Sequence, residues 1–268
     1  MTQMLPLELA HKMADRARSI LQPYFRTRIP IQDKADTSPV TIADRETETA
    51  LREMLRMHFP SHNIIGEEHE QVQQGGDFTW VIDPIDGTKS FISGMPTFGT
   101  LISLQHADLP ILGMIDIPIS GERWVARRGH GTHYNDQPCH TSSVTELADA
   151  ILYCTEPDPF NPAQLACFDR LARQVKLRRF GGDCYLAGLL ASGHIDLLVE
   201  ADLKIYDVMA MVTVIEEAGG CISDWHGQPV GGSDWDGSLV ASATAQLHRQ
   251  ALAVLQGKPS QEPPESGI

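Results

Sequence analysis

The chain has 268 residues, 42% of them hydrophobic and 21% charged, a balance ordinary for a globular protein and enough for one large domain or two intimately packed lobes. The formal net charge of −14 argues against nucleic acid as a general partner, because phosphate backbones seek basic surfaces, and no uninterrupted apolar stretch is long enough to span a membrane. Five scattered cysteines give no disulfide framework, and Glu8, His11, Lys12 and Asp15 break up the N-terminal apolar residues, so the expected setting is a reducing cytoplasm with no secretory signal.

In chain order, Leu5, Leu9, Met13, Ala17, Ile20 and Leu21 recur at helical spacing and predict a helix from about Leu5 to Tyr24, with Pro23 near its end. The segment from Ile31 to Asp44 reads mostly as a loop. A second helix is expected from about Thr41 to His58, stopped by Pro60. The apolar residues before Asp83 read as a buried strand. Strands are then expected at Gly99–Leu104, Ile111–Ile117, Arg123–Ala126 and Thr132–Asn135, with short turns that suggest antiparallel pairing. The second half should alternate: strand Ile151–Thr155, helix Pro162–Val175, strand Lys176–Phe180, helix Asp183–Ser192, strand Ile195–Glu200 and helix Asp207–Ala218, the last ended by Gly219 and Gly220. Two short strands, Cys221–Ser223 and Leu239–Ala241, and a helix Thr244–Leu255 complete it. The expectation is one domain over residues 1–257, with halves at about 1–145 and 146–257, followed by a disordered tail at 258–268.

The most informative stretch is Trp80-Val81-Ile82-Asp83-Pro84-Ile85-Asp86-Gly87-Thr88-Lys89. Pro84 has no N–H and should end the strand ladder, so Asp83 leaves a strand end and Asp86 emerges from the bend beyond it. Gly87 permits a tight backbone or close ligand approach, and Thr88 could cap a short helix whose free N–H groups face an anion. Carboxylates beside an anion site call for a cation between them, and hard divalent ions, Mg²⁺ above all, suit carboxylate and carbonyl oxygens. The plainer alternative is a turn rich in Asp, Pro and Gly. Two further acidic segments shift the balance: Gly66-Glu67-Glu68 after an apolar run, and Tyr206-Asp207 before Glu217-Ala218-Gly219-Gly220. In these three motifs, in this order, the sequence resembles the inositol monophosphatase family of Mg²⁺-dependent phosphatases, from about Leu7 to about Leu255.

The resemblance implies an α/β fold, an α/β/α/β/α sandwich of two packed halves with the site between them, a homodimer, and two or three Mg²⁺ ions per site. Carried over motif by motif, Asp83 bridges two ions, Glu67 joins it on the first, and Asp86 and Asp207 hold the second, with the Ile85 carbonyl as a further ligand. An N-cap role for Asp207 is the rival reading. Glu67 and Thr88 are the pair expected to activate water, and Asp44 the acid that supports Thr88 and a third, weaker ion; a plain first-turn helix acid is its alternative. Lys34 could close over the site. His130, His133, Cys139 and His140 match no standard zinc spacing, and Met209 and Met211 read as core. Gly66 and Glu68 read as structural.

The expected partner is a small phosphorylated metabolite, bound by Gly87, Thr88, Asp183, Glu200 and Asp207. Phe180-Gly181-Gly182-Asp183-Cys184-Tyr185, Val199-Glu200 and Leu203 to Asp207 look like the histidinol-phosphatase branch, as does Thr88 to Gly94. Histidinol phosphate carries an ammonium and an imidazole, whereas an inositol ring carries hydroxyls, so Asp183 and Glu200 could pair with a cationic end. The alternatives are an inositol-1-phosphate phosphatase, a broader sugar or nucleotide phosphatase on the same scaffold, and a silent binding protein. An N-cap is the plain reading of Asp183.

Overall fold

A computed structural model describes residues 4–33 and 39–257. Lys34 and the tail from 258 lie outside the described residues.

The chain enters through α1 (Pro6–Tyr24), with Pro6 in its first turn, where a missing N–H costs nothing. Leu9, Met13, Ala17 and Leu21 form its buried stripe. Residues 31–44, expected to be loop, instead contain a short antiparallel pair, β1 (Ile31–Asp33) and β2 (Pro39–Thr41), three residues each and so too brief to show a period. Thr41 and Asp44 then start α2 (Ile42–His58) with a capping box.

A seven-stranded sheet follows, made of β3 (Asn63–Gly66), β4 (Phe78–Asp86), β5 (Gly99–His106), β6 (Leu109–Ile117), β7 (Glu122–Arg127), β8 (Thr132–Tyr134) and β9 (Gln137–Cys139), in sequence order, with α3 (Thr88–Ser93) between β4 and β5. All neighbours are antiparallel except β3 and β4. The second sheet has the order β11-β10-β12-β14-β13. Its strands are β10 (Ile151–Cys154), β11 (Leu177–Phe180), β12 (Leu197–Glu200), β13 (Cys221–Ser223) and β14 (Leu239–Ser242), interleaved with α4 (Pro162–Ala172), α5 (Tyr185–Ala191) and α6 (Ile205–Glu217) and closed by α7 (Ala245–Leu255). The helix bounds move from the expected ones where local chemistry sets them. α4 stops three residues short of Val175, α5 begins after Asp183, and α6 begins at Ile205 rather than Asp207.

The layers are α1 and α2, the seven-stranded sheet, α5 and α6, the five-stranded sheet, and α4 with α7. Three apolar clusters fill the gaps between layers. The innermost contains Met209 and Met211, both buried, together with Trp124, Leu186 and Leu190. Each such buried side chain contributes roughly 1.5–3 kcal/mol relative to exposure. The approach is close: a Cβ at Gly113 would stand 2.4 Å from the Ala210 carbonyl oxygen, so α6 lies directly on β6. Among the described residues no helix is long and apolar enough to cross a membrane.

His248 on α7 is buried, with Nε2 2.9 Å from Ser223 Oγ and Nδ1 3.1 Å from Ser242 Oγ. Burial pushes its pKa down to about 4, from the ordinary 6.5. Protonation therefore favours the unfolded chain. The contribution is fully present above about pH 6.5 and is lost as pH falls through about 4. A His248→Gln variant should lose roughly 2–3 kcal/mol less stability than the parent between pH 7 and 4.5, as read from urea midpoints at both pH values. Equal losses would show that His248 does not set the acid slope.

Candidate active site

β4 does not end at Asp83. It runs to Asp86, and its pairing with β5 slips between Asp83↔Leu101 and Asp86↔Gly99, a bulge that accommodates Pro84. The Pro84 carbonyl accepts the Thr100 hydroxyl at 2.9 Å, and the Ile85 N–H donates to Asp83 Oδ1 at 2.9 Å. The extra residue re-aims both carboxylates at the strand end. Gly87 follows with φ 86°, a left-handed turn that opens α3. Thr88 is the first helical residue and no cap; its hydroxyl donates instead to the Ile85 carbonyl at 3.2 Å and lies 3.4 Å from Asp44 Oδ1.

Asp83, Asp86 and Asp207 meet here. Each offers one carboxylate oxygen, and these oxygens lie within 4.8 Å of one another. Asp83 is buried at the end of β4. Asp86 Oδ2 accepts the Cys184 N–H at 2.6 Å, which ties the loop before α5 to the bulge. Asp207 is not the N-cap of α6. It is the third residue of the helix, where Oδ2 accepts the N–H of the cap residue Lys204 at 2.6 Å, leaving its other oxygen for the cluster. Glu67 follows β3, next to β4 in parallel, and its carboxylate is within hydrogen-bond reach of Asp83. Among the described residues His130, His133, Cys139 and His140 join no such group.

Burial is the main cause that raises the Asp83 pKa well above the carboxylate range, followed by the charges of Glu67, Asp86 and Asp207. Asp86 is raised well above it by burial, then by Asp207 and Asp183. Asp207 is pushed up to about 7 by burial, against the opposing Lys204 N–H. Carboxylates this close, one buried and two half-buried, repel one another as anions. Their hard oxygens fit Mg²⁺, which would relieve that repulsion.

α2 brings Asp44 to Thr88. Asp44 Oδ2 accepts both the Thr41 N–H at 2.8 Å and the Thr41 hydroxyl at 2.6 Å. It is thus at once the capping acid and the support of Thr88. Its pKa is raised, by burial first.

The second half supplies Asp183 and Glu200. Asp183 is not an N-cap: its φ is 50°, and Cys184 takes the cap position of α5. Asp183 Oδ2 accepts the hydroxyls of Ser90 at 2.6 Å and Thr97 at 3.0 Å. Its side chain lies against Gly87, where a Cβ would come within 2.6 Å of Asp183 Cγ. Glu200 closes β12 and is buried. Its Oε1 accepts the Thr155 N–H at 2.7 Å, and its Oε2 lies 3.8 Å from Cys154 Sγ. Burial pushes its pKa up to about 8, and the charge of Asp183 adds to that. Lys89 and Glu156 form an ion pair that links α3 to the loop after β10. Glu156, Ser90 and Thr97 were not singled out in the sequence; each is an ordinary polar residue until the halves are docked.

The sequence matches the inositol monophosphatase family over residues 6–259. This chain belongs to the inositol monophosphatase family. Members of that family are Mg²⁺-dependent, and the protein is a metal-dependent phosphomonoesterase on the family's fold. It is 42% identical to the bifunctional phosphatase IMPL2 of Arabidopsis thaliana, over 92% of this chain and 74% of the relative. It is 35% identical to a histidinol-phosphatase of Chlorobaculum parvum, over 93% and 96% of the two chains. A solved inositol monophosphatase from Zymomonas mobilis superposes with a TM-score of 0.85 at 40% identity, covering 93% of this chain and 97% of that one.

Proposed function

We propose that this inositol monophosphatase-family enzyme hydrolyses L-histidinol phosphate to L-histidinol and phosphate, as in histidine biosynthesis. The observation that carries the reading is the pair Asp183 and Glu200. Asp183 is pressed against Gly87 at the edge of the acid cluster, and Glu200 is close enough to feel its charge. Two carboxyls beyond those of the metal cluster can accept hydroxyls, but only an ammonium or imidazolium also gains charge-assisted pairing from them. The similarity to a histidinol-phosphatase supports the same reading, and the similarity to a Zymomonas inositol monophosphatase supports an inositol ester as the second one.

In this reading Glu67, Asp83, Asp86, Asp207 and the Ile85 carbonyl hold the metal. Bound there, Mg²⁺ would neutralise the phosphate's charge and acidify the attacking water. Gly87 and Thr88 receive the phosphate end. Thr88 has committed its hydroxyl proton to the Ile85 carbonyl or to Asp44, so its lone pairs are free to accept a hydrogen bond from water and aim it. Glu67 takes the water's second proton. Asp44 holds Thr88 in place. Burial shifts Glu200 toward its protonated form, and pairing with the substrate's ammonium would favour its ionised form.

Asp183→Asn and Glu200→Gln keep the acceptor oxygens that Ser90, Thr97 and Thr155 use. A charge-assisted hydrogen bond contributes roughly 1.5–3 kcal/mol. Each change should lower kcat/KM for histidinol phosphate about ten- to hundredfold and leave a neutral phosphate ester nearly unaffected, in assays on both substrates at fixed Mg²⁺. Equal loss on both substrates would make the two acids structural.

A further inference from the structure

α2 carries three buried ionisable residues at four-residue spacing: Asp44, Glu48 and Arg52. Such spacing places them on one face of the helix. Asp44 reaches Thr88. The other two reach the loop that carries Glu67, one and two turns further along. Arg52 Nε donates to Glu48 Oε1 at 2.7 Å, with both side chains almost wholly buried. Glu48 Oε2 accepts the Glu68 N–H at 2.7 Å, and Oε1 accepts the His69 N–H at 3.2 Å. Arg52 donates to the carbonyls of Glu70 and His69, each at 3.0 Å. The pair thus uses its hydrogen-bonding capacity on four backbone groups just after Glu67. On the other side, Gly66 lies flat on the pair: a Cβ there would stand 2.3 Å from Glu48 Oε1 and 2.9 Å from an Arg52 guanidinium nitrogen. Gly66 lacks a left-handed φ, so space rather than backbone conformation excludes a side chain.

The geometry points to Glu48 and Arg52 as positioning residues that fix the Glu67 carboxylate beside Asp83, so that one helix sets both water-activating groups, Thr88 through Asp44 and Glu67 through the ion pair. This rests on the proposed role of Glu67 as a metal ligand. A buried ion pair is weak support for stability by itself, since desolvation offsets the attraction. Its five hydrogen bonds are better understood as fixing one loop geometry.

The test is direct Mn²⁺ titration by electron paramagnetic resonance on the purified full chain, below the melting temperature of every variant, beside Mg²⁺-saturated kcat. Arg52→Lys keeps the charge and loses the forked contacts. Gly66→Ala leaves the pair chemically intact and wedges the loop away from it. Both should weaken Mn²⁺ binding at least tenfold and lower kcat. Arg123→Lys on β7, which breaks up the ion pairs with Asp116 of β6 and Asp15 of α1, should lower melting temperature and leave Mn²⁺ affinity unchanged. If Arg52→Lys does not fold, Gly66→Ala decides by the same criterion. Wild-type Mn²⁺ affinity in folded Arg52→Lys and Gly66→Ala, with Glu67→Gln weakened, would overturn the positioning role alone. Wild-type affinity in Glu67→Gln would overturn the metal-site reading on which it rests.

Discussion

Replacing Asp83 with asparagine should lower Mg²⁺-dependent turnover on the order of 10³-fold while the protein stays folded. Asp83 is buried at the centre of the acid cluster, and an amide of the same shape supplies neither its charge nor its affinity for a hard cation. The local fold contact survives, because an asparagine oxygen can accept the Ile85 N–H as Asp83 Oδ1 does. The effect on stability has the opposite sign. The Asp83 pKa is raised in the folded protein, so its contribution is fully present below the ordinary carboxylate value of 3.8 and is lost as pH rises through the folded value. In chelator at neutral pH, Asp83→Asn should therefore melt at or above the parent temperature. In excess Mg²⁺ the order should reverse, because only the parent gains fully from ion binding. Near-normal Mg²⁺-dependent activity in Asp83→Asn would remove Asp83 from the metal site.

Thr88→Ala should lower kcat by about 10²–10³-fold with little change in KM, since its hydroxyl is proposed to orient water, a contribution made mainly in the transition state. Its two contacts are long, 3.2 and 3.4 Å, so no more than about 1 kcal/mol of stability should go with them. Thr88→Ser keeps the hydroxyl and should restore most of the rate. A loss confined to KM, or a serine as poor as alanine, would make Thr88 a packing residue instead.

The acids of the cluster were legible because they stand in short motifs that, taken together and in order, resemble one family, although each motif alone left a turn or a cap open. Antiparallel pairing along 99–126 was legible from short strands joined by short turns, whereas the layer order came only with the family resemblance. What the sequence hid was the chemistry between distant segments. Glu48 and Arg52 look like a solvated i,i+4 pair on a surface helix, and only the packing of α2 against the Glu67 loop buries them. For Asp183 and Asp207 the neighbouring residues left an N-cap open beside the site role. In the structure Asp183 has left-handed backbone and is held by Ser90 and Thr97 from the other half, and Asp207 is the third residue of its helix. Pro84 read as a strand end, yet the bulge lets the strand run through it. Glu200 was legible as a strand-end acid, but its shift toward neutrality depends on burial that no local pattern announces.

The central claim is that a metal cluster and a second acid pair together select a cationic phosphomonoester. The direct measurement is kcat/KM of the unaltered protein for L-histidinol phosphate and for inositol 1-phosphate, each in Mg²⁺ and in chelator. The expected result is a preference for histidinol phosphate of about a hundredfold or more, as two charge-assisted contacts allow, with turnover of both esters lost in chelator. A preference for the inositol ester, or turnover that persists without divalent metal, would contradict it.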